Sequence, residues 1–264
     1  MSRVLITGCG SGIGRAAALE FARRGHHVVA TGRSAASIAD LDVAERHELD
    51  ITDDVEVDAL VSRIEPVDVL VNNAGVGLHG PLEAVPMSAI EDIYATNVLG
   101  TIRLTKALIP TFRTRRTGTI FFVSSPAARA TRPLTGTYGS TKAAVELMLE
   151  SLSFELESVG VRTVIVAPGA VSSGFSARRR TYSSEVEPYR TLGEQWSTLR
   201  ATSHRERAST PEEVAAVIAD LYVTETRPFS RHAIGAEAAS LIAQRAECDD
   251  DTYRQLVWAQ LRTS

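Results

Sequence analysis

Tyr138 and Lys142 have the residue types and the spacing for proton transfer. They lie four residues apart in "YGSTK", directly before the helical run "AAVELMLESLSFELE". On a helix, positions i and i+4 are neighbours with Cβ atoms roughly 5–6 Å apart, so the ammonium can lie near the phenol. At about 5 Å and an effective dielectric constant near 20, this favours phenolate by on the order of 3 kcal/mol, or about two pKa units. Such a phenol can exchange protons near neutral pH, although the same pair also occurs in ordinary helices.

A glycine-rich loop is the second candidate for chemistry. The stretch "TGCGSGIGR" follows an N-terminal apolar strand and opens a helix. Glycines at such a turn let the backbone approach a pyrophosphate, and the helix N-terminus offers free N–H groups. The pattern G-x-G-x-x-G does not fit from Gly8, because Ile13 takes its sixth position. Thr7, Gly8, Gly12 and Gly14 instead form T-G-x-x-x-G-x-G, which predicts a dinucleotide site; a turn without a ligand is the alternative.

The elements that must position these residues alternate along the chain. Apolar strands are predicted at "RVLIT", "HHVVATG", "VDVLVNNAG", "GTIFFVSS" and "RTVIVAPG", with one more strand after His47. Helical patterns run through "GRAAALEFARRG", near "DVEVDALVSRI", from about Ser88 to Phe112, and onward from Tyr138. Continuous apolar strands separated by amphipathic helices indicate a parallel sheet covered on both faces. The sequence therefore predicts a doubly wound α/β fold.

One stretch after the sixth strand interrupts this alternation. No linker or repeat divides the chain, so a single domain over 1–264 is expected. Residues 172–210 are polar, arginine-rich and aromatic. Ligands of such folds bind beyond the carboxyl ends of the strands, so this stretch is predicted to be a lid-like insertion that covers the site. A helix resumes at "TPEEVAAVIADLY", with Thr210 as N-cap, Pro211 at N1 and Glu213 at N3.

The combined pattern resembles the short-chain dehydrogenase/reductase family, in its single-domain branch with a Rossmann fold. T-G-x-x-x-G-x-G and Y-x-x-x-K are the marks of that family, and the longer epimerase-type branch has T-G-x-x-G-x-x-G instead. Further family elements follow in order: "NNAG" at 72–75, Asn97 in "TNVLGT", Ser125 thirteen residues before Tyr138, and "PGAVSS" from Pro168. The resemblance is close over about residues 3–175 and loose beyond.

This resemblance implies a catalytic set of Asn97, Ser125, Tyr138 and Lys142. Tyr138 would give a proton to a carbonyl oxygen or take one from a hydroxyl. Lys142 would lower the pKa of the phenol and bind the nicotinamide ribose, and Ser125 would hydrogen-bond the substrate oxygen. Asn97 would hold a water that links Lys142 to solvent. Ser124 misses the family spacing by one residue.

The loop and the resemblance also imply a set of cofactor contacts. Asp50 matches the aspartate that contacts adenine, and a simple strand-end cap is the alternative. Serine at 173 departs from the threonine that is commoner in the family. The predicted cofactor-binding residues are Gly8, Gly10, Ser11, Gly12, Ile13, Gly14, Arg33, Asp50, Ile51, Asn73, Ala74, Gly75, Tyr138, Lys142, Pro168, Gly169, Val171 and Ser173.

The end of the second strand, "VVATGRS", indicates which dinucleotide is used. Folds of this type that use NAD carry an acidic residue there for the ribose 2′-hydroxyl. Here no acid occurs before Asp40, and Arg33 offers a charged fork suited to a phosphate. NADP is therefore predicted as the preferred cofactor, with NAD possible; an arginine that is merely solvated is the alternative.

Composition narrows the class of protein. The chain has 264 residues, 44% of them hydrophobic, and no apolar run approaches the roughly 18 needed to span a bilayer. It enters a strand almost at once through "MSRVLITG", which predicts a cytoplasmic protein without a signal peptide. Cys9 and Cys248 fit no metal spacing, and none of the six histidines, His204 among them, looks catalytic. A net charge of −4 gives no reason to expect nucleic acid.

The sequence thus predicts an NADP-dependent oxidoreductase that moves a hydride between nicotinamide and a secondary alcohol, ketone or aldehyde, without a metal. A catalytically idle dinucleotide sensor of the same fold is the alternative.

Ala143, Leu147 and Phe154 form a second apolar face on the Tyr138 helix, which predicts a homodimer. The Arg178 to Arg180 run is either solvated or placed to meet an acidic group. The stripe of Leu192, Trp196 and Leu199 either lines the substrate pocket or packs on the body.

Overall fold

The computed structural model describes residues 1–262, except for the side chains of residues 200–207. The end of the predicted domain, and the side chains of part of 172–210 including His204, therefore lie outside the described residues. The strands are β1 (Arg3–Ile6), β2 (His27–Gly32), β3 (Glu45–Glu48), β4 (Val69–Asn72), β5 (Leu78–His79), β6 (Gly118–Val123), β7 (Val161–Pro168), β8 (Arg180–Thr181) and β9 (Phe229–Ile234). The helices are α1 (Gly12–Arg23), α2 (Asp54–Arg63), α3 (Met87–Tyr94), α4 (Thr101–Arg115), α5 (Gly136–Leu156), α6 (Phe175–Arg178), α7 (Tyr189–Arg207), α8 (Pro211–Thr224), α9 (Ala236–Glu247) and α10 (Asp250–Arg262).

The central sheet has seven parallel strands in the order β3-β2-β1-β4-β6-β7-β9. The chain builds outward from β1 to β3, then returns to pair β4 with the other edge of β1. At such a reversal of strand order the connections leave in opposite directions, which opens a crevice beyond the carboxyl ends of the strands. The doubly wound α/β fold predicted from the sequence is confirmed.

Alternate residues of each central strand pack into two core layers. Val4 and Ile6 of β1 lie in the layer beneath α1 and α8, with Phe21 and Ile218. Leu5 points to the opposite layer, beneath α2, α4 and α5. Because both faces of the sheet are covered, the strands read as continuous apolar runs rather than as an alternation.

The edges of the sheet depart from the prediction. The third strand contains His47 rather than following it, so the predicted boundary is wrong. β9 was not predicted at all, because its sequence "FSRHAI" mixes polar and apolar residues. Edge strands are partly solvated and are held by backbone pairing to one neighbour, here β2 for β3 and β7 for β9. Polar side chains are compatible with such a position. A search for apolar runs therefore does not detect these edge strands.

Two helical predictions are confirmed with added detail. The helix expected from about Ser88 to Phe112 exists as α3 and α4, joined without a break by a π-helical turn at Ala95–Gly100. Such turns are rare and occur frequently at functional sites. Thr210 caps α8 in the predicted way: its hydroxyl accepts from the Glu213 N–H, and the Glu213 carboxylate accepts from the Thr210 N–H.

Residues 172–210, called the covering segment below after their predicted role, contain α6, β8 and α7. β8 pairs in parallel with β5, which ties the segment to the loop after β4. The Tyr189 hydroxyl donates to Glu83 at 2.6 Å, and Arg180 forms an ion pair with Asp92 of α3 at 2.6 Å. In the described part of the chain, no helix is long and apolar enough to cross a bilayer.

Candidate active site

A cleft of about 570 Å³ lies beyond the carboxyl ends of the sheet strands. Its walls come from the loops after β1, β2, β4, β6 and β7 and from the covering segment. Every residue predicted to be catalytic or to bind the cofactor lines this cleft, apart from Gly14 and Asn97, which lie behind its wall. The structure therefore brings together residues that are up to 165 positions apart, from Gly8 to Ser173.

The glycine-rich loop needs its glycines for two different reasons. Gly8 and Gly12 have positive φ angles of 73° and 57°, in the left-handed region that L side chains rarely adopt. Gly14 is needed for close packing, since a Cβ there would lie 2.4 Å from the Gly8 oxygen and 2.3 Å from Asn73 Nδ2. The Asn73 amide donates to the Thr7 carbonyl at 2.8 Å, which joins this loop to the one after β4.

The N-terminus of α1 opens into the cleft as a site for an anion. Ser11 is its N-cap residue but makes no capping bond, and the first turn of the helix carries no acidic residue. The guanidinium of Arg178, from the covering segment, donates to the Ser11 hydroxyl at 2.8 Å. Free N–H groups, the helix dipole and a nearby arginine fit the pyrophosphate of a dinucleotide.

Arg33 is exposed at the end of β2 and lines the cleft without an ion pair to any described residue. Asp40, the next acid along the chain, is held in two hydrogen bonds by Arg15, at 2.7 and 3.0 Å. An acidic residue in place of Gly32 would have little room, because a Cβ there would lie 2.9 Å from Cγ2 of the buried Ile38. This end of the cleft therefore offers a positive charge and no competing carboxylate from β2.

Asp50 forms a cap at the end of its strand and also lines the cleft. Its Oδ1 accepts from the backbone N–H of Thr52 at 2.8 Å and from the Thr52 hydroxyl at 2.7 Å. These bonds form the strand-end cap that was the alternative to adenine binding. Asp50 and the adjacent Ile51 nevertheless line the cleft, so the cap orients the residue at the same place.

Tyr138, Ser125 and Lys142 meet at the other end of the cleft. The Ser125 hydroxyl lies near the Tyr138 phenol and acts to lower its pKa. Lys142 follows one helical turn after Tyr138 and is 4% exposed. Its Nζ donates to the Val123 carbonyl at 2.8 Å and lies 6.0 Å from the centre of the Tyr138 ring. The phenol thus has a hydroxyl and an ammonium among its neighbours.

The protonation states differ from the expectation based on helix spacing. Burial raises the pKa of Tyr138 to about 12, against the opposing effects of the Ser125 hydroxyl and the charge of Arg179. Burial likewise lowers the pKa of Lys142 to about 8, although the negative charge of Glu146 acts to raise it. The predicted lowering of the phenol pKa is therefore wrong for the ligand-free protein. The free-energy penalty for removing the phenolate from water is larger than the stabilisation that these neighbouring groups provide.

Asn97 lies in the π-helical turn and is fully buried. Its Oδ1 accepts from the Val76 N–H at 2.8 Å, and its Nδ2 donates to the Val76 carbonyl at 2.9 Å and to the Thr141 hydroxyl at 3.1 Å. A Cβ on Gly75 would lie 3.2 Å from Asn97 Oδ1 and 3.5 Å from Lys142 Nζ. Asn97 thus fixes the segment at Gly75 and Val76, which lies between Asn97 and Lys142. The water that Asn97 is predicted to hold stays a prediction.

Sequence reasoning missed the partner of Ser124. This hydroxyl donates to Glu146 at 2.5 Å, in a buried contact. Glu146 also accepts from Arg129 at 3.1 Å and from Arg231 of β9 at 3.3 Å. Its position four residues after Lys142, on the same face of α5, is the signal that was available in the sequence.

The substrate end of the cleft contains further residues that the sequence did not indicate. The ring of Phe175 lies 6.1 Å from that of Tyr138. His79 is stacked on Trp196, with ring centres 6.0 Å apart and planes 14° apart. The guanidinium of Arg132 lies over the same tryptophan, with its Cζ 5.8 Å from the Trp196 ring centre. These contacts join positions far apart in the chain, which no local pattern predicts.

Both readings of the Leu192, Trp196 and Leu199 stripe are correct in part. Trp196 packs on the body against Tyr253 of α10, and the two leucines flank it there. Trp196 and Leu199 also line the cleft.

The three consecutive arginines point in different directions. Arg178 reaches Ser11, Arg179 lines the cleft near Tyr138, and Arg180 pairs with Asp92. The run is therefore not a uniform solvated patch.

Comparison with known proteins agrees with this geometry. A family model described as "short chain dehydrogenase" matches residues 2–183. The chain belongs to the short-chain dehydrogenase family. It is 33% identical to retinol dehydrogenase 8 of Bos taurus, over 92% of this chain and 84% of the relative. It is 31% identical to the NADPH-dependent 3-dehydrocapnine reductase of Ornithobacterium rhinotracheale, over 89% and 88% of the two chains.

A solved short-chain dehydrogenase from Streptomyces avermitilis superposes with a TM-score of 0.83 at 30% identity. The superposition covers 99% of this chain and 96% of that one. Short-chain dehydrogenases are oxidoreductases that bind nicotinamide dinucleotides, and the protein is a member of this class of enzymes.

Proposed function

We propose that this short-chain dehydrogenase is an NADP-dependent enzyme that interconverts a secondary alcohol and a ketone or aldehyde. The observation that carries the proposal is the meeting of Tyr138, Ser125 and Lys142 at one end of a cleft whose other end holds the glycine loop. Asn97, which supports the wall behind Lys142, completes the proposed catalytic set. The proposed cofactor contacts are the lining residues named from the sequence, with Gly14 in a supporting position.

The side chains divide the chemistry between them. A bound nicotinamide supplies the hydride in reduction and accepts it in oxidation. Ser125 hydrogen-bonds the substrate oxygen and stabilises the charge that develops on it. Tyr138 donates a proton to that oxygen in reduction and takes one from the hydroxyl in oxidation. Because burial raises the Tyr138 pKa to about 12, the phenol is protonated at neutral pH, which is the form that reduction requires.

The preference for NADP rests on Arg33 and on the absence of an acid at the end of β2. A phosphate on the ribose would pair with the exposed guanidinium and meet no carboxylate of this strand. One relative with similarity over most of its length is described as NADPH-dependent, which supports the same choice.

The covering segment is proposed to act as the lid of a single domain. Phe175 and Trp196 from this segment line the cleft, and the pairing of β5 with β8 holds it over the site. We also propose a homodimer formed through α5. Leu147 and Phe154 on this helix are 70% and 76% exposed, an apolar face that a second copy would remove from water. The cytoplasmic location stays a prediction from the sequence.

The loss of NADPH absorbance with a panel of ketones and aldehydes tests the proposed function. Turnover that disappears in Tyr138→Phe, while NADPH still binds, is the expected result. NADPH binding without turnover of any carbonyl or alcohol would overturn the proposal in favour of the idle dinucleotide sensor.

A further inference from the structure

Arg132 is a cation of the cleft wall that has no anionic partner among the described residues. It lines the cleft on the Trp196 side and is half-buried. Its Nε is buried without a hydrogen bond, and no ion pair or hydrogen bond joins its guanidinium to a described residue. Burial lowers the pKa of this arginine, so the surroundings disfavour the charge that it carries. A charged group in such a place normally has a partner.

The guanidinium is held by an aromatic ring rather than by a carboxylate. Trp196, 5.8 Å beneath it, is 6% exposed and is itself stacked on His79. The indole Nε1 of Trp196 is a second buried donor without a hydrogen-bond partner. Two donors that lack acceptors are thus adjacent in one wall of the cleft, and their positions are set by stacking.

Among the described residues, the carboxylate whose charge acts on Arg132 is Glu237, and this carboxylate is otherwise engaged. Its charge acts on Arg132, but the two do not form an ion pair. Glu237 Oε2 instead accepts from the backbone N–H of Ala170 at 2.9 Å, which holds the loop after β7. Glu237 therefore moderates the charge of Arg132 without binding its guanidinium.

The cleft as a whole has an excess of positive charge, although the chain has a net charge of −4. Among its described lining residues the carboxylates are Asp50 and Glu237. The cations that line it are Arg33, Arg132, Lys142, Arg178 and Arg179. The phosphates of a dinucleotide account for Arg33 and for Arg178 beside Ser11. Arg132 lies instead over Trp196, whose apolar cluster includes Leu199 and Leu241 of the cleft lining. Such apolar side chains suit the body of a substrate.

We propose that the substrate carries a carboxylate that binds the Arg132 guanidinium, with an apolar body packed against Trp196 and Leu199. A carboxylate matches the planar fork of arginine and can also accept from a neighbouring N–H donor. The substrate class is then an oxo acid and the corresponding hydroxy acid. This assignment rests on the proposed carbonyl reduction at Tyr138, which acts on a different part of the same molecule.

The test compares oxo-carboxylates of increasing chain length with their methyl esters, which lack the negative charge and carry one extra methyl group. In the unmutated enzyme with NADPH, kcat/KM for the best acid should exceed that for its ester by on the order of tenfold or more, as expected for a charge-assisted bond. Arg132→Gln should remove this ratio by lowering kcat/KM for the acid alone, and Arg132→Lys should retain part of it. Arg190→Gln is the matched control, because Arg190 lies on the surface of α7 and pairs with Glu194 there.

A binding measurement separates this assignment from the proposed function. Trp258→Phe leaves Trp196 as the single tryptophan, so its fluorescence reports on the proposed site. With NADP⁺ bound, oxo acids are not reduced, and their titration measures binding alone. If the protein binds the acid more tightly than the ester, this preference depends on Arg132, and no carbonyl or alcohol is turned over, the anion site would be retained. The proposed oxidoreductase function would then be overturned. Equal kcat/KM and equal binding for acids and esters throughout the series would overturn the carboxylate assignment, even if other ketones are reduced.

Discussion

Replacing Lys142 with methionine should change how the stability of the ligand-free protein depends on pH. Lys142 is 4% exposed, and burial lowers the pKa of its ammonium from 10.5 to about 8. Between these two values the unfolded chain holds this proton while the folded chain has released it. Stability rises with pH wherever the unfolded state binds more protons. The unmutated protein should therefore gain stability relative to Lys142→Met as the pH increases through this range.

The size of the effect follows from the two pKa values. From pH 7 to pH 10, linkage gives a relative gain of ~2.5 kcal/mol in the free energy of unfolding. Tyr138 acts in the opposite sense, because burial raises its pKa to about 12 and the unfolded chain loses that proton first, from about pH 10 upward. The phenol is present in both proteins, so its contribution cancels in the difference.

Urea denaturation at pH 7, 8, 9 and 10 without cofactor measures this difference. Lys106→Met serves as the control, because Lys106 is exposed on α4 and its replacement should leave the pH profile parallel to that of the unmutated protein. A difference between the unmutated protein and Lys142→Met that stays constant to within about 0.5 kcal/mol would show that burial does not penalise this charge.

Three further predictions concern activity, cofactor choice and assembly. Tyr138→Phe should lower kcat by about a hundredfold or more while NADPH binding, followed by its fluorescence, stays near normal; normal turnover would refute the proton-transfer role. The unmutated enzyme should prefer NADPH to NADH by about tenfold or more in kcat/KM, and Arg33→Ala should remove most of this preference, whereas an initial preference for NADH would contradict the role of Arg33. Leu147→Glu combined with Phe154→Glu should convert a dimer to a monomer in sedimentation, and an unmutated protein that is already monomeric at micromolar concentration would exclude the α5 interface.

Sequence patterns predicted the elements whose signals are local. Fully buried strands such as β6, "GTIFFV", read as apolar runs, and the capping residues of α8 occur at fixed spacing from its start. The glycine loop and the Tyr138 to Lys142 spacing are also local, which is why most of the cleft lining was found. β9 escaped because an edge strand with polar residues has no apolar run.

Tertiary contacts account for the rest. The pKa of Tyr138 depends on how much water the folded chain excludes from the phenol, which helix spacing alone does not contain. The stacking of Arg132 on Trp196 joins residues 64 positions apart through a helix of the covering segment. Neither residue belongs to a motif, so only the folded chain shows them to be neighbours.

The covering segment is attached to both ends of the cleft within three residues. Arg178 bonds to Ser11 at the glycine loop, and Arg180 donates its backbone N–H to the Gly77 carbonyl at 3.0 Å, next to the segment that Asn97 holds. A movement that frees one attachment therefore pulls on the other. If this segment opens as the proposed lid, one movement would expose the dinucleotide site and the substrate site together.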